Sequence, residues 1–375
     1  MDTFSSKTQL EKRLVLSATM KRIPLGGAFE LLPLCNMNCR MCFLRLSPEE
    51  MLQQGRLRRA DEWLALAEQA KAAGLLFLLL TGGEPFLYPE FKKLYEGLCK
   101  LGLIITINSN GTLITEEFAD HLAAHRPRRI NITLYGSSDE VYGRLCGNPH
   151  GFTQTMQAIE RLKSRGIDIK LNGSLTRYNR DDMENIQRVA RELEIPIEID
   201  SYMFPCIRKG SVPFDASSRL TATEAAECFL PIKQNELPPE RFCTLLKQME
   251  SCYVNADAPE ERPSPEPMPC RAGLSSFWVN WKGHMTPCVF MEVPAIPAFE
   301  QGFAASWEYI KQERMNIHMP AKCSACPKRP ACTVCAAAVM NETGGMQDAP
   351  PYLCEYTEKK LELVHALLTN EGGIG

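Results

Sequence analysis

The stretch "AFELLPLCNMNCRMCF", residues 28–43, runs an apolar segment straight into three cysteines. Cys35, Cys39 and Cys42 are separated by three residues and then two. The Leu- and Phe-rich run at 28–34, "AFELLPL", reads as a strand that ends where the cysteines begin. Where strands alternate with helices, ligands bind at the strand C-terminal ends, so the triplet falls on the face expected to carry function.

The same rhythm continues downstream. Residues 75–80, 103–108, 129–135, 168–175 and 195–204 are further apolar strand candidates. Between them "RADEWLALAEQAKAAG", "PEFKKLYEGLCKLG", "EEFADHLAAHR", "GFTQTMQAIERLKSRG" and "RDDMENIQRVARELE" carry apolar residues near a 3.6-residue period. Six strand–helix units predict an α/β fold with a parallel sheet. Periodicity alone fits a partial barrel and a doubly wound sheet equally. "TGGEP", residues 81–85, follows the second strand and so joins the cysteines on one face.

Composition narrows the function classes. With 45% hydrophobic residues in 375, the chain can fill a sizeable core. A net charge of -3 gives no broad basic field, so nucleic acid is not expected as a partner. No run approaches the roughly 20 apolar residues that span a bilayer, and the first 25 residues lack a signal-peptide core, so a cytoplasmic protein off the membrane is expected. Sixteen cysteines in that compartment are read first as metal ligands, not disulfides.

After residue 206 the rhythm stops. Residues 207–269 read as a helical bridge closed by the Pro-rich connector "PEERPSPEPMP". Residues 270–360 hold seven cysteines and few periodic elements, so this segment is expected to fold around metal. A C-terminal helix and tail, 361–375, and an N-terminal extension, 1–25, complete the division around a domain at 26–206.

Iron–sulfur clusters usually take four thiolates, so three leave one iron open. "CNMNCRMC" after a first strand, with "GGEP" after the second, closely resembles the radical S-adenosylmethionine enzymes. A zinc site would need a fourth ligand, and no His stands near the triplet. The resemblance implies a partial (β/α)6 TIM-like barrel. It also implies a 4Fe-4S cluster on Cys35, Cys39 and Cys42 whose open iron binds S-adenosylmethionine and yields a 5'-deoxyadenosyl radical.

By the same resemblance Gly82, Gly83, Glu84 and Pro85 hold the methionine amino group, and Met41, in a position usually aromatic, lies near the adenine. Ser109, Asn110, Thr133 and Arg144 stand where relatives contact the ribose and carboxylate.

The second set, Cys270, Gly283, Cys288, Cys323, Cys326, Cys332, Cys335 and Cys354, is similar to the SPASM extension of peptide and protein maturases. The last pair here has two intervening residues where relatives commonly have three. That likeness implies two auxiliary 4Fe-4S clusters, three in all. Cys270, Cys288 and Cys335 would hold the first, with Cys252 or an open iron completing it. Cys323, Cys326, Cys332 and Cys354 would hold the second. A zinc ribbon, the other reading, usually separates its pairs by about 15 to 20 residues, and only five intervene here.

The expected activity is oxidation of a ribosomally made peptide or protein side chain, including thioether or carbon–carbon cross-links. A small-molecule dehydrogenase or epimerase is the alternative, with a non-catalytic metal-stapled scaffold behind it. Sulfatase-maturating enzymes, which this layout also resembles, carry an Asp at the position after Cys288, and Val289 stands there, so the resemblance implies that formylglycine formation is disfavoured. Cys206 is either a hydrogen-atom donor for epimerisation or an apolar filler. An electron donor such as flavodoxin or ferredoxin is implied. About 25 residues precede the first strand, too few for a leader-binding domain. Leader recognition is therefore expected from a separate protein or from the barrel and SPASM segment directly.

Overall fold

The computed structural model describes residues 8–205, 215–255 and 265–370. Six parallel strands form in chain order: β1 (Gly26–Glu30), β2 (Phe77–Thr81), β3 (Ile104–Ser109), β4 (Arg129–Thr133), β5 (Ile169–Ser174) and β6 (Ile197–Asp200). Their order in the sheet, β6-β5-β4-β3-β2-β1, never reverses. A doubly wound sheet needs a reversal at its switch point. This sheet is wound one way and is a partial barrel, which decides between the two arrangements that periodicity left open.

The strands alternate in burial, and helices such as Ala60–Ala72, Phe91–Lys100 and Gly151–Ser164 supply the outer layer. Trp63, Tyr95, Phe29, Phe91 and Leu78 lie fully buried between sheet and helices. Burying each such side chain contributes about 1.5–3 kcal/mol.

The cysteine-rich segment is welded to the barrel. β7 (Ser276–Val279) pairs in parallel with β1, then β8 (His284–Thr286) and β9 (Ile296–Pro297) continue antiparallel. Gly27 allows this: a Cβ there would meet the Phe277 ring at 2.2 Å. The buried Glu30 carboxylate accepts from Trp278 Nε1 at 3.0 Å, tying the two segments at the strand ends.

The helices Ala222–Glu236 and Pro239–Val254 pack on the long helix Pro351–Asn370. No helix among the described residues is long and apolar enough to cross a membrane.

Candidate active site

The chain leaves β1 and reaches Cys35 in five residues, so the cysteine loop sits at the barrel mouth. Cys39 is buried, Cys35 and Cys42 half-buried. The loop rests on the end of the helix Asp139–Cys146: Asn38 N–H donates to the Cys146 carbonyl at 2.7 Å and Arg40 N–H to Leu145 at 3.0 Å. A helix's last carbonyls have no partner of their own, and this loop supplies it.

Burial pushes the Cys35 thiol up to about 12 and Cys42 to about 11, and each senses Cys39. Cys39 is held well above its ordinary value by the neighbouring Cys146 thiol first and burial second. Three buried thiols this close stay protonated until a cation joins them, and a coordinated metal reverses that balance by stripping the protons. Among the described residues no three His, Cys, Asp or Glu close around a point that one metal ion would occupy. Three thiolates are soft donors of the kind that iron–sulfur clusters and zinc both take.

Glu84 is fully buried at the end of β2. Its carboxylate accepts from Phe86 N–H at 3.2 Å, Ser109 Oγ at 2.9 Å and Asn110 N–H at 2.8 Å. Burial raises the carboxyl to about 7 against these donors. Asn110 also donates from Nδ2 to Asn36 Oδ1 at 2.9 Å and to Cys35 Sγ at 3.7 Å. Ser109 and Asn110 thus sit between Glu84 and the cysteine loop.

The two glycines have a local reason. Gly83 N–H donates to Leu32 at 2.7 Å and Glu84 N–H to Leu34 at 2.9 Å, docking the turn on the chain that leads to Cys35. A Cβ on Gly83 would meet the Leu34 carbonyl oxygen at 2.1 Å, and Gly82, at φ 154°, would meet Leu32 O at 2.7 Å. Pro85 opens the short 3-10 turn that Glu84 caps.

Met41 is half-buried beside Cys39 and Tyr142. Thr133 ends β4, half-buried and opposite Asn172. Arg144 donates from Nε and Nη2 to the Tyr178 carbonyl at 3.2 and 2.9 Å, so its guanidinium already has an acceptor. Cys206 lies outside the described residues.

The C-terminal cysteines sort into two groups. Cys288 senses Cys335 and Cys270, and Cys335 senses Cys270. Cys323 senses Cys354, Cys332 and Cys326, and Cys354 senses Cys332 and Cys326. Cys323, Cys326, Cys332 and Cys354 line one cavity of about 330 Å³ with Pro327 and Leu353. Cys252 packs with Leu246, Met249, Leu361 and Val364 against Ala331. That places it in a helical core.

Three features left no mark in the spacing. Cys146 is fully buried at Cys39. Arg314, 4% exposed, donates to Ala272 O at 2.9 Å, to Cys270 O at 2.9 Å and to Met268 O, shaping the Cys270 turn. Phe290 stacks on Phe204 at 4.0 Å between ring centres and meets Phe43 at 5.8 Å. Phe43 follows Cys42 and Phe290 lies two residues past Cys288, so the two cysteine loops share an aromatic wall.

A one-way α/β barrel thus carries three thiols and a buried glutamate together at its mouth. Residues 29–190 match the radical SAM superfamily. The chain is 30% identical over 317 residues to the PqqA peptide cyclase of Ruegeria pomeroyi, covering 81% of this chain and 80% of that one. It is 24% identical over 351 residues to the AdoMet-dependent heme synthase of Methanosarcina barkeri, covering 91% and 99%. Its fold follows Streptococcus suis SuiB bound to S-adenosylmethionine, with a TM-score of 0.63, 18% identity and coverage of 91% and 81%. The chain belongs to the radical SAM superfamily and carries a C-terminal SPASM segment. Enzymes of this family use a 4Fe-4S cluster and S-adenosylmethionine.

Proposed function

We propose that this radical SAM enzyme oxidises a side chain of a ribosomally made peptide or protein, joining it by a thioether or carbon–carbon bond. Cys35, Cys39 and Cys42 would hold the 4Fe-4S cluster, which when bound would supply reductive cleavage of S-adenosylmethionine. Glu84, set by Ser109 and Asn110, receives the methionine amino group beside Cys35.

Two auxiliary clusters complete the cofactor set, on Cys270, Cys288 and Cys335 and on Cys323, Cys326, Cys332 and Cys354. With Cys252 committed to packing, the first keeps an open corner. Forming a cross-link removes two hydrogens from the substrate. One would leave as an atom to 5'-deoxyadenosine and the other as a proton, and the auxiliary clusters, when bound, would supply the acceptor for the remaining electron.

The observation that carries this reading is the contact of Phe43 with Phe290. It brings the loop of Cys42 beside the loop of Cys288, which supports a bound side chain lying between a radical source and an electron acceptor. The similarity to a peptide cyclase through both segments supports a peptide substrate. A cytoplasmic flavodoxin- or ferredoxin-type donor supplies the first electron, and a separate protein or the enzyme itself recognises the leader.

A second reading, small-molecule oxidation, is favoured by the alignment with a heme synthase over nearly that protein's whole length. Anaerobic reconstitution should give about twelve irons per chain. Reduced enzyme with S-adenosylmethionine should form 5'-deoxyadenosine, and changing Cys35, Cys39 and Cys42 to Ala should abolish it. A precursor peptide encoded beside the gene should lose two mass units on incubation. An unchanged peptide alongside turnover of a tetrapyrrole would favour the second reading, and no 5'-deoxyadenosine at all would leave a metal-stapled scaffold.

A further inference from the structure

A buried cation stands behind the four-cysteine cavity. Lys360 is 1% exposed on the helix Pro351–Asn370, six residues past Cys354. Its ammonium donates to the Ala331 carbonyl at 3.0 Å, and Ala331 directly precedes Cys332. The same ammonium lies 4.4 Å from the Tyr356 ring centre and 4.8 Å from that of Phe229.

An ammonium out of water is costly unless negative charge compensates it. A carbonyl and two ring faces are neutral partners. The ionisable groups that act on Lys360 are Cys332, then Asp200, with Lys233 opposing. Asp200, raised to about 6 by burial, is mostly ionised at neutral pH and contributes one negative charge. Burial lowers Lys360 to about 8, which leaves it mostly charged at neutral pH. The largest negative charge within reach is the one that four thiolates and their cluster would carry.

We propose that Lys360 raises the reduction potential of the cluster held by Cys323, Cys326, Cys332 and Cys354. The proposal rests on the reading above that these four cysteines hold a cluster. Such a cluster is anionic and gains one further negative charge on reduction, so a fixed cation in a low-dielectric wall favours the reduced form. Lys360 acts as a positioning and tuning residue, outside the ligand set.

The test is a potentiometric titration followed by electron paramagnetic resonance on the full-length reconstituted enzyme, comparing wild type with Lys360→Met and Lys360→Gln. The signal that disappears in Cys326→Ala identifies the cluster concerned. Both Lys360 variants should keep wild-type iron and sulfide, and that one signal should move to lower potential while the others stay in place. Gln can still donate to the Ala331 carbonyl, so a purely structural role would leave its potential at the wild-type value. Unchanged potentials, a uniform shift of every cluster, or loss of that cluster's iron from both variants would overturn the proposal. If Cys326→Ala and Cys354→Ala lose no iron, the assignment of a cluster to this cavity fails instead, and the role of Lys360 with it.

Discussion

The Asn110 backbone N–H donates to the Glu84 carboxylate at 2.8 Å while the Asn110 side chain reaches the Cys35 thiol. One residue just past the end of β3 thereby joins the glutamate proposed to hold the cosubstrate to the loop proposed to hold the cluster.

Glu84→Gln should weaken S-adenosylmethionine binding by about ten- to a hundredfold, the range for one hydrogen bond to a charged group. The pH dependence follows from burial, which raises the carboxyl from 4.5 to about 7. A raised acid favours the fold most below its unfolded value, and that contribution is lost as pH climbs through about 7. Ligand binding runs the other way, because the amino group needs the ionised acceptor. Wild-type affinity, measured by calorimetry, should therefore rise between about pH 6 and 8 relative to Glu84→Gln. Parallel curves for the two proteins would remove Glu84 from the site.

Gly83→Ala places a methyl group 2.1 Å from the Leu34 carbonyl oxygen, and backbone cannot yield as a side-chain tip would. The segment between Leu34 and Cys35 must shift. Reconstituted protein should lose about four irons and the spectroscopic signal of the S-adenosylmethionine-binding cluster, keeping the auxiliary signals. The overall fold should survive, at a cost of about 1–3 kcal/mol in chemical denaturation.

These two effects were only half legible in the sequence. Apolar residues recurring at every second position, separated by 3.6-period segments, marked six strands in order. The cysteine triplet and "GGEP" were legible because both are contiguous. Sheet order was not, since barrel and open sheet share one periodicity. The β7 addition to β1 was hidden too, since Ser276–Val279 is four residues long and its partner lies some 250 residues away. Cys146, Arg314 and the Phe43–Phe290–Phe204 wall are juxtapositions of distant residues, which spacing does not encode. The glycine pair also has a packing role that its spacing does not encode, since Gly83 N–H and Glu84 N–H dock the turn on Leu32 and Leu34.

Arg219 and Glu342 form an ion pair at 3.1 Å between Nη1 and Oε2, and Tyr202 Oη donates to the same carboxylate at 2.9 Å. Their side chains are 16% and 7% exposed, so water screens neither. Arg219→Met would strand a buried carboxylate and should destabilise the fold by about 3–5 kcal/mol. Adding Glu342→Leu should recover much of that loss, which urea denaturation of the single and double variants would measure. Equal stability of Arg219→Met and wild type would mean the pair is hydrated in solution.

Phe290 sits where the two cysteine loops meet, stacked on Phe204 and touching Phe43. Its half-buried ring is available to press against a bound side chain and keep water from the radical. Phe290→Ala leaves Glu84 and Cys35, Cys39 and Cys42 untouched, so S-adenosylmethionine cleavage should persist at near the wild-type rate. Product formation should fall instead, because a loosely held substrate is missed by the radical. The measurement is the ratio of modified substrate to 5'-deoxyadenosine in single-turnover mixtures, expected to drop by about tenfold or more. Loss of both products in proportion would assign Phe290 to packing of the cluster loops, and the shared aromatic wall would then carry no weight as a substrate surface.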